Sequence, residues 1–328
     1  MTVTISTKHK YLIIGGTTKA ATTSLYYYLA DHPQVSASTL KETRFFLDLD
    51  YPVPPLAAKW TDGIEKYEEF FGNKQGDNFV RLEASAEYLY SAGTPQRIKE
   101  SLPNAKIVFL LREPISRVIS WYKFAKQRAD IPPEMTLDRY IEKQLQSNHF
   151  QLAKQQRVTL DRDRDKSIPP SFFFSALEHG CYSSYLQAYF DILGRDNVHV
   201  AFYEELCRQP KSVLEKICLF AEIELDFYRD YTFKVFNRSE TMKNASLHGA
   251  YGRLRTNIRK YTHNLPIHYW LRQMRKWFDA KIYYRLNTRP TERLEISPAI
   301  ENKLKDYYQE EIQTLENLLD RPIPWYKG

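Results

Sequence analysis

Hydrophobic positions in this chain fall into short apolar runs separated by amphipathic stretches. Residues 10–16 (KYLIIGG) form an apolar run closed by two glycines, the pattern of a buried strand. The small-residue loop TTKAATTS follows, and SLYYYLADHP predicts a helix that ends before Pro33. Residues 35–50 predict a loop with a short strand, and Tyr51–Trp60 is irregular. IEKYEEFF at 64–71 has the spacing of a short amphipathic helix, and FVRLEAS at 79–85 predicts a second strand. Thr94 and Pro95 supply a cap and a first-turn proline for a helix over 94–101.

AKIVFLLREP at 105–114 is the clearest strand of all. Its continuous apolar run predicts burial on both faces, as in a parallel sheet. ISRVISWYKFAKQRA then predicts a helix. Further on, 181–193 and 210–223 predict helices, 197–206 a strand running into a loop, and 297–319 a well-capped amphipathic helix. The segment 130–170 is polar and rich in breakers, which predicts a helix plus a long surface insertion; 228–265 is loop-like and basic. Strands that alternate with helices predict an α/β fold with a central parallel sheet flanked by helices in three layers. The expected organisation is one domain over 1–328, with insertions near 126–175 and 228–285.

Composition narrows the classes. With 43% hydrophobic residues over 328 positions, a full core can be built. The 24 Tyr and 18 Phe predict a cleft lined with rings that carry polar edges. The net charge of +7 favours anionic ligands, and 253–276 is locally basic. No nucleic-acid module accompanies that charge, so no nucleic-acid partner is expected. Cys181, Cys207 and Cys218 lack CxxC spacing, which argues against a disulfide framework or a zinc site and for a reducing compartment. No apolar run approaches the roughly 18 residues of a membrane span, and the first residues lack a signal-peptide pattern. The expectation is a soluble cytoplasmic protein without a membrane partner; its oligomeric state is not legible.

The chemistry concentrates in two places. A strand that passes through small residues into a helix makes an anion site, because free N–H groups and the helix dipole point outward. Lys19 adds a full charge there, and Thr22, Thr23 and Ser24 offer hydroxyls. The loop is like a Walker loop, yet Ala20 stands where nucleoside triphosphate enzymes have the metal-binding hydroxyl. The neighbouring strand ends in Arg112 rather than aspartate, so no metal is expected and protein charge alone would neutralise the phosphates. Ser120, eight residues after Arg112, lies about two turns into the next helix. An arginine fork with a hydroxyl suits a phosphate monoester. Arg117 lies nearby in sequence and is open to a plain surface reading.

Together IIGGTTKAATTSL and LLREPISRVISWY, roughly ninety residues apart, resemble the two nucleotide motifs of the sulfotransferases that use 3′-phosphoadenosine 5′-phosphosulfate (PAPS). LADHPQV, KETRFF (41–46), EASAEYLYS (83–91) and the closing SPAIENKLKDYYQEEIQTLENLLDRPIPWY resemble the heparan-sulfate-type branch and its bacterial relatives. The resemblance implies a P-loop-like fold and transfer of a sulfuryl group from PAPS, leaving PAP, to an acceptor oxygen or nitrogen. It implies that Lys19, Ala20, Ala21, Thr22, Thr23 and Ser24 hold the 5′-phosphosulfate and that Arg112 and Ser120 hold the 3′-phosphate. It further implies Glu42 as the general base, with Glu83 as the runner-up, and places Lys41 and Glu83 at the acceptor as substrate-binding residues. A carboxylate among Phe45, Phe46 and tyrosines is expected to have a raised pKa. Two departures stand out. Ala21 replaces a common glycine, and fits if its φ is negative. The 228–250 region lacks the branch's glycines, leaving Lys234, Arg238 or Lys243 to close over the nucleotide. The small-molecule acceptor, a sugar or secondary metabolite, is unspecified. The alternatives are a P-loop kinase, which magnesium-dependent ATP turnover would favour, and a non-catalytic nucleotide- or polyanion-binding protein.

Overall fold

Alternate residues of the strand Lys106–Leu111 pack against opposite sides of a sheet, and both sides are buried. Ile107, Phe109 and Leu111 enter one hydrophobic cluster and Val108 and Leu110 another, all of them fully buried. The computed structural model describes residues 9–72, 79–128, 130–132, 134–146, 170–234, 240–242, 288–290 and 294–325.

The sheet has five strands: β1 (Lys10–Gly16), β2 (Val35–Ala37), β3 (Val80–Ala84), β4 (Lys106–Leu111) and β5 (Val198–Phe202). Their order is β2-β3-β1-β4-β5, and every pairing is parallel. The first four α-helices are α1 (Thr22–Ala30), α2 (Ile64–Glu68), α3 (Thr94–Ser101) and α4 (Pro114–Arg128). One face of the sheet packs on α1 and on the helix Pro210–Ala221, through Leu25, Leu29, Leu214 and Ile217. The other packs on the helix Tyr182–Leu193, through Tyr182, Leu186 and Tyr189. These are the three layers that the alternation of strands and helices predicts. A further cluster joins Val118 and Trp121 of α4 to Ile300 and Leu304 of the C-terminal helix Pro298–Leu319. Ser297 caps that helix, its Oγ accepting from the Ile300 N–H at 3.4 Å.

β1 is central, flanked by β3 on one side and β4 on the other, and the later strands β4 and β5 lie on the side opposite β2 and β3. The carboxyl ends of β1, β3 and β4 therefore border the crevice where ligands bind in open α/β sheets. Gly15 allows a close approach at this point: a Cβ there would lie 2.6 Å from Cε1 of the Phe109 ring.

Several local expectations change. Gly93, not Thr94, occupies the N-cap of α3. The Thr94 hydroxyl instead donates to the Phe46 carbonyl at 2.9 Å, which ties the helix start to the 42–48 segment. The predicted strand at 197–206 stops at Phe202 and turns into the helix Tyr203–Arg208. Glu204 and Glu205 fall in its first turn, where the helix dipole favours them. The segment read as loop-like contributes Glu240–Met242 to an antiparallel pair with Thr288–Pro290. Within the two expected insertions, residues 147–169 and 243–287 lie outside the described residues, as do Arg238 and Lys243.

Candidate active site

The loop after β1 turns on two left-handed residues, Lys19 at φ 69° and Ala21 at φ 63°. The negative φ on which Ala21 was expected to fit is thus not what the loop adopts. Left-handed backbone brings Cβ against the next carbonyl and costs an L-residue about 1–2 kcal/mol. The strain bends the loop so that α1 begins abruptly. No side chain caps α1, so the first N–H groups of the helix, at Thr22 and Thr23, start without an intrahelical partner. Substituting Ala21→Gly should relieve the strain at some entropic cost, a net gain of roughly 1 kcal/mol. Urea unfolding checks this; an unchanged or lower midpoint would refute it. Ala20 is fully buried and hydrogen-bonds back to Thr17, holding the loop closed.

Positive charge collects around this turn. Lys19 Nζ sits 4.5 Å from the centroid of the Phe124 ring on α4. Burial, followed by the nearby Arg112 charge, lowers its pKa to about 8. Arg112 follows β4 directly; its Nη1 donates to the Lys19 carbonyl at 2.9 Å, and its guanidinium stacks 4.4 Å from the Tyr203 ring. Arg112 Nε is buried without a hydrogen-bond partner. Among the described residues no carboxylate forms an ion pair with Lys19 or Arg112. Lys123 also has its pKa lowered, by burial and then by Arg112. Ser120 lies four residues before Phe124 and three before Lys123, so it shares the face of α4 that carries the ring under Lys19. Lys19 and Arg112, both singled out in the sequence, thus lie together and are joined by a direct hydrogen bond.

Arg117 corrects its expectation. It is fully buried rather than a surface residue, and its Nη2 donates to the Ala176 carbonyl. The rings of Tyr90, Tyr140, Tyr182 and Tyr308 surround its charge. Its role is to anchor α4, and with it Ser120 and Phe124, against the 170–180 segment. His32 also behaves as a packing residue, with Nε2 on the Glu224 carbonyl at 2.9 Å. Of the three candidates for closing over the nucleotide, Lys234 is described; it is exposed, and its carbonyl accepts from Tyr28 of α1 at 2.7 Å.

The second group of polar residues stands at the end of β3. Ser85 N donates to the Ile14 carbonyl of β1, and Ala84 N to the Lys41 carbonyl, both at 3.1 Å. Ser85 Oγ then accepts from the Arg44 N–H at 2.9 Å. This ladder fixes the 41–44 segment against the strand ends that also border the phosphate loop. Glu42 is one-third exposed and sits between two cations: Lys41 Nζ at 2.7 Å on Oε1 and Arg44 Nη2 at 3.0 Å on Oε2. Burial pushes its pKa up, but the charges and hydrogen bonds of Lys41 and Arg44 outweigh burial and hold it below the usual range. The raised pKa expected of Glu42 is thus corrected. Phe45 and Phe46 point into the core instead of surrounding it.

Glu83 is the carboxylate that burial raises, to about 7. It is fully buried and accepts from Thr43 Oγ1 at 2.9 Å and Ser85 Oγ at 2.5 Å. A third carboxylate, Glu87, escaped the sequence reading. It is buried, and Arg44 Nη2 reaches its Oε1 at 3.4 Å while Oε2 has no partner. Its sequence signal is a second glutamate in the EASAEYLYS segment. Tyr90 was also missed: its hydroxyl meets Thr17 of the phosphate loop and donates to the His179 carbonyl at 3.0 Å. It links the loop to the Glu87 side of the crevice.

Comparison with known proteins places this architecture. A model of the sulfotransferase domain matches residues 9–313. The chain is 22% identical over 279 residues to the membrane-associated sulfotransferase kil1 of Dictyostelium discoideum, covering 67% of this chain and 57% of that protein. It is 34% identical over 128 residues to bifunctional heparan sulfate N-deacetylase/N-sulfotransferase 4 of Mus musculus, covering 37% of this chain and 13% of that one. The chain thus spans between about an eighth and three-fifths of the length of these two relatives. Among solved structures, a sulfotransferase from Alicyclobacillus acidocaldarius superposes with a TM-score of 0.62 at 20% identity, covering 97% of this chain and 98% of that one, and supports the fold. No helix among the described residues is long and apolar enough to cross a membrane. With the domain match running through the phosphate loop, the Arg112 strand end and the C-terminal helix, the chain belongs to the sulfotransferase domain family.

Proposed function

We propose that this chain moves a sulfuryl group from PAPS to a hydroxyl or amine of a small-molecule acceptor, a sugar or a secondary metabolite. The observation that carries the proposal is the bond from Arg112 to the Lys19 carbonyl, which joins two unneutralised cations into one surface. That surface suits a nucleotide with phosphate at both ends. The loop N–H groups with Lys19, Thr22, Thr23 and Ser24 face the 5′-phosphosulfate, and Arg112 with Ser120 faces the 3′-phosphate. Ala20 offers no side-chain oxygen to a metal, and on this reading protein charge carries the neutralisation.

In the reaction the acceptor oxygen or nitrogen attacks sulfur while the bond from sulfur to the 5′-phosphate oxygen breaks. Negative charge grows on that oxygen, where Lys19 and the loop N–H groups stabilise it. The acceptor proton passes to Glu42, and PAP leaves. Glu42 is favoured over Glu83 as the base because it is partly exposed, whereas Glu83 is enclosed by Thr43 and Ser85. Its low pKa keeps it ionised at neutral pH. Lys41 holds Glu42 and borders the acceptor, while Glu83 supports the strand end. One domain over 1–328, with acceptor-side insertions near 126–175 and 228–285, completes the proposal. Three free cysteines support a cytoplasmic setting.

A panel of hydroxyl and amine acceptors with labelled PAPS tests the reading. Binding of PAP without transfer to any acceptor would favour a nucleotide-binding protein instead. The donor site has its own test. Arg112→Ala should weaken PAP by about 10- to 100-fold, the worth of a charged hydrogen bond. It should leave adenosine 5′-phosphosulfate, which lacks the 3′-phosphate, bound as before. Calorimetry reads both; equal losses would assign Arg112 to loop architecture alone.

A further inference from the structure

Arg44 occupies an unusual place. It stands at φ 55°, a left-handed conformation that an arginine adopts only at a cost. Its N–H is pinned to Ser85 Oγ at 2.9 Å. So held, one guanidinium nitrogen, Nη2, serves two carboxylates: Glu42 Oε2 at 3.0 Å and Glu87 Oε1 at 3.4 Å. Glu42 is one-third exposed at the crevice, and Glu87 lies behind with about a tenth of its side chain exposed. Glu87 Oε2 and Arg44 Nε are both buried and make no hydrogen bond. A buried carboxylate with half its acceptors unused is costly to keep. The Glu87 neighbours Ala84, Ala86 and Leu89 are apolar and buried.

We propose that Glu87 is a positioning residue for the transfer reaction: by sharing Arg44 it prevents that arginine from fully neutralising Glu42, and so keeps Glu42 basic enough to take the acceptor's proton. The inference rests on Glu42 being the base. An arginine committed wholly to Glu42 would make a stable ion pair and a poor proton acceptor. A second carboxylate on the same nitrogen draws the positive charge back and adds like-charge repulsion. The groups facing Glu42 are Lys41, Arg44 and Glu87; those facing Glu87 are Glu42, Arg44, Lys41, Tyr51 and Tyr90. Burial first, and Glu42 second, raise the pKa of Glu87, whereas that of Glu42 is lowered. As pH falls, Glu87 therefore takes its proton first. Arg44 then belongs to Glu42, whose basicity drops while it is still ionised. The acid side of the rate profile reports Glu87 rather than Glu42.

Carboxyl-carbon NMR of glutamate-labelled protein reads this without any acceptor. In the wild type the Glu42 signal, assigned by its loss in Glu42→Gln, should move in two steps: a small one where Glu87 titrates and a large one at lower pH. Glu87→Gln, which keeps the shape and removes the charge, should abolish the upper step and leave the lower one in place. With an acceptor from the panel, Glu87→Gln should lower kcat about tenfold at neutral pH. It should shift the acid limb of kcat downward and leave PAP affinity unchanged. A single-step Glu42 signal in the wild type would overturn the proposal, and this needs no variant of Glu87. So would an unmoved acid limb in a folded Glu87→Gln. Near wild-type turnover in Glu42→Gln would sink the assignment of the base itself, a separate failure.

Discussion

Replacing Lys19 with methionine should cut turnover by about 100- to 1,000-fold, the usual cost of losing one donor to developing negative charge. Its stability should be unchanged or higher. Lys19 ion-pairs with no carboxylate among the described residues, and burial with the Arg112 charge disfavours its proton. Methionine keeps the stem over Phe124 and removes an uncompensated cation. The pH dependence gives a second readout. The proposed chemistry needs the charged amine, whose pKa burial and the Arg112 charge lower to about 8. The kcat/KM of the wild type should therefore fall as pH rises through about 8. Bound phosphates favour the charged form, so the limb in kcat should lie at higher pH. Lys19→Arg, charged throughout, should remove the limb. Stability runs the other way: the folded state binds this proton less tightly than the unfolded chain. Stability should thus rise with pH above about 8, up to the ordinary lysine range. Labelled-PAPS turnover and thermal unfolding of the same variants decide the matter. Activity within a few-fold of wild type in Lys19→Met would overturn the role.

The sheet and the β1–α1 turn were legible because their signals are local. An apolar run such as IVFLL has one way to satisfy its backbone and both its faces, and small residues before a helix announce an open N-terminus. Arg112 was legible for the same reason, since the end of a buried strand fixes where the next side chain emerges. Left-handed Ala21 was misjudged because a sequence states which residue is cheapest in a conformation, not whether the fold imposes it. Arg117 was misjudged because its burial depends on Tyr140, Tyr182 and Tyr308, which come from three distant segments. Composition near Arg117 shows none of them. Glu42 could be located but its pKa could not be signed. Phe45 and Phe46 suggested desolvation, yet the backbone turns them into the core and leaves Lys41 and Arg44 on the carboxylate. Glu87 required knowledge of Arg44's conformation, which no spacing rule supplies.

Which carboxylate takes the proton is separable from which one is unusual. Glu42→Gln should lower kcat by about 100- to 10,000-fold, the range for removing a general base, with PAP affinity held within about twofold. Because Lys41 and Arg44 keep the Glu42 pKa low, its ionised form adds stability that is lost as pH falls through that pKa; the Gln variant should lose this acid-side dependence. Glu83→Gln should behave oppositely on both counts. Burial raises Glu83 to about 7, so its charged form costs stability as pH climbs above the unfolded carboxylate range. Glutamine there should gain stability at pH 8 and none at pH 4, with turnover changed only a few-fold. If Glu83→Gln instead abolishes turnover while Glu42→Gln spares it, the base is the buried carboxylate, and Thr43 or Ser85 must carry the proton to it. If each variant follows its prediction, the partly exposed, ion-paired Glu42 is the base, and the share of Arg44 that Glu87 takes offsets its low pKa.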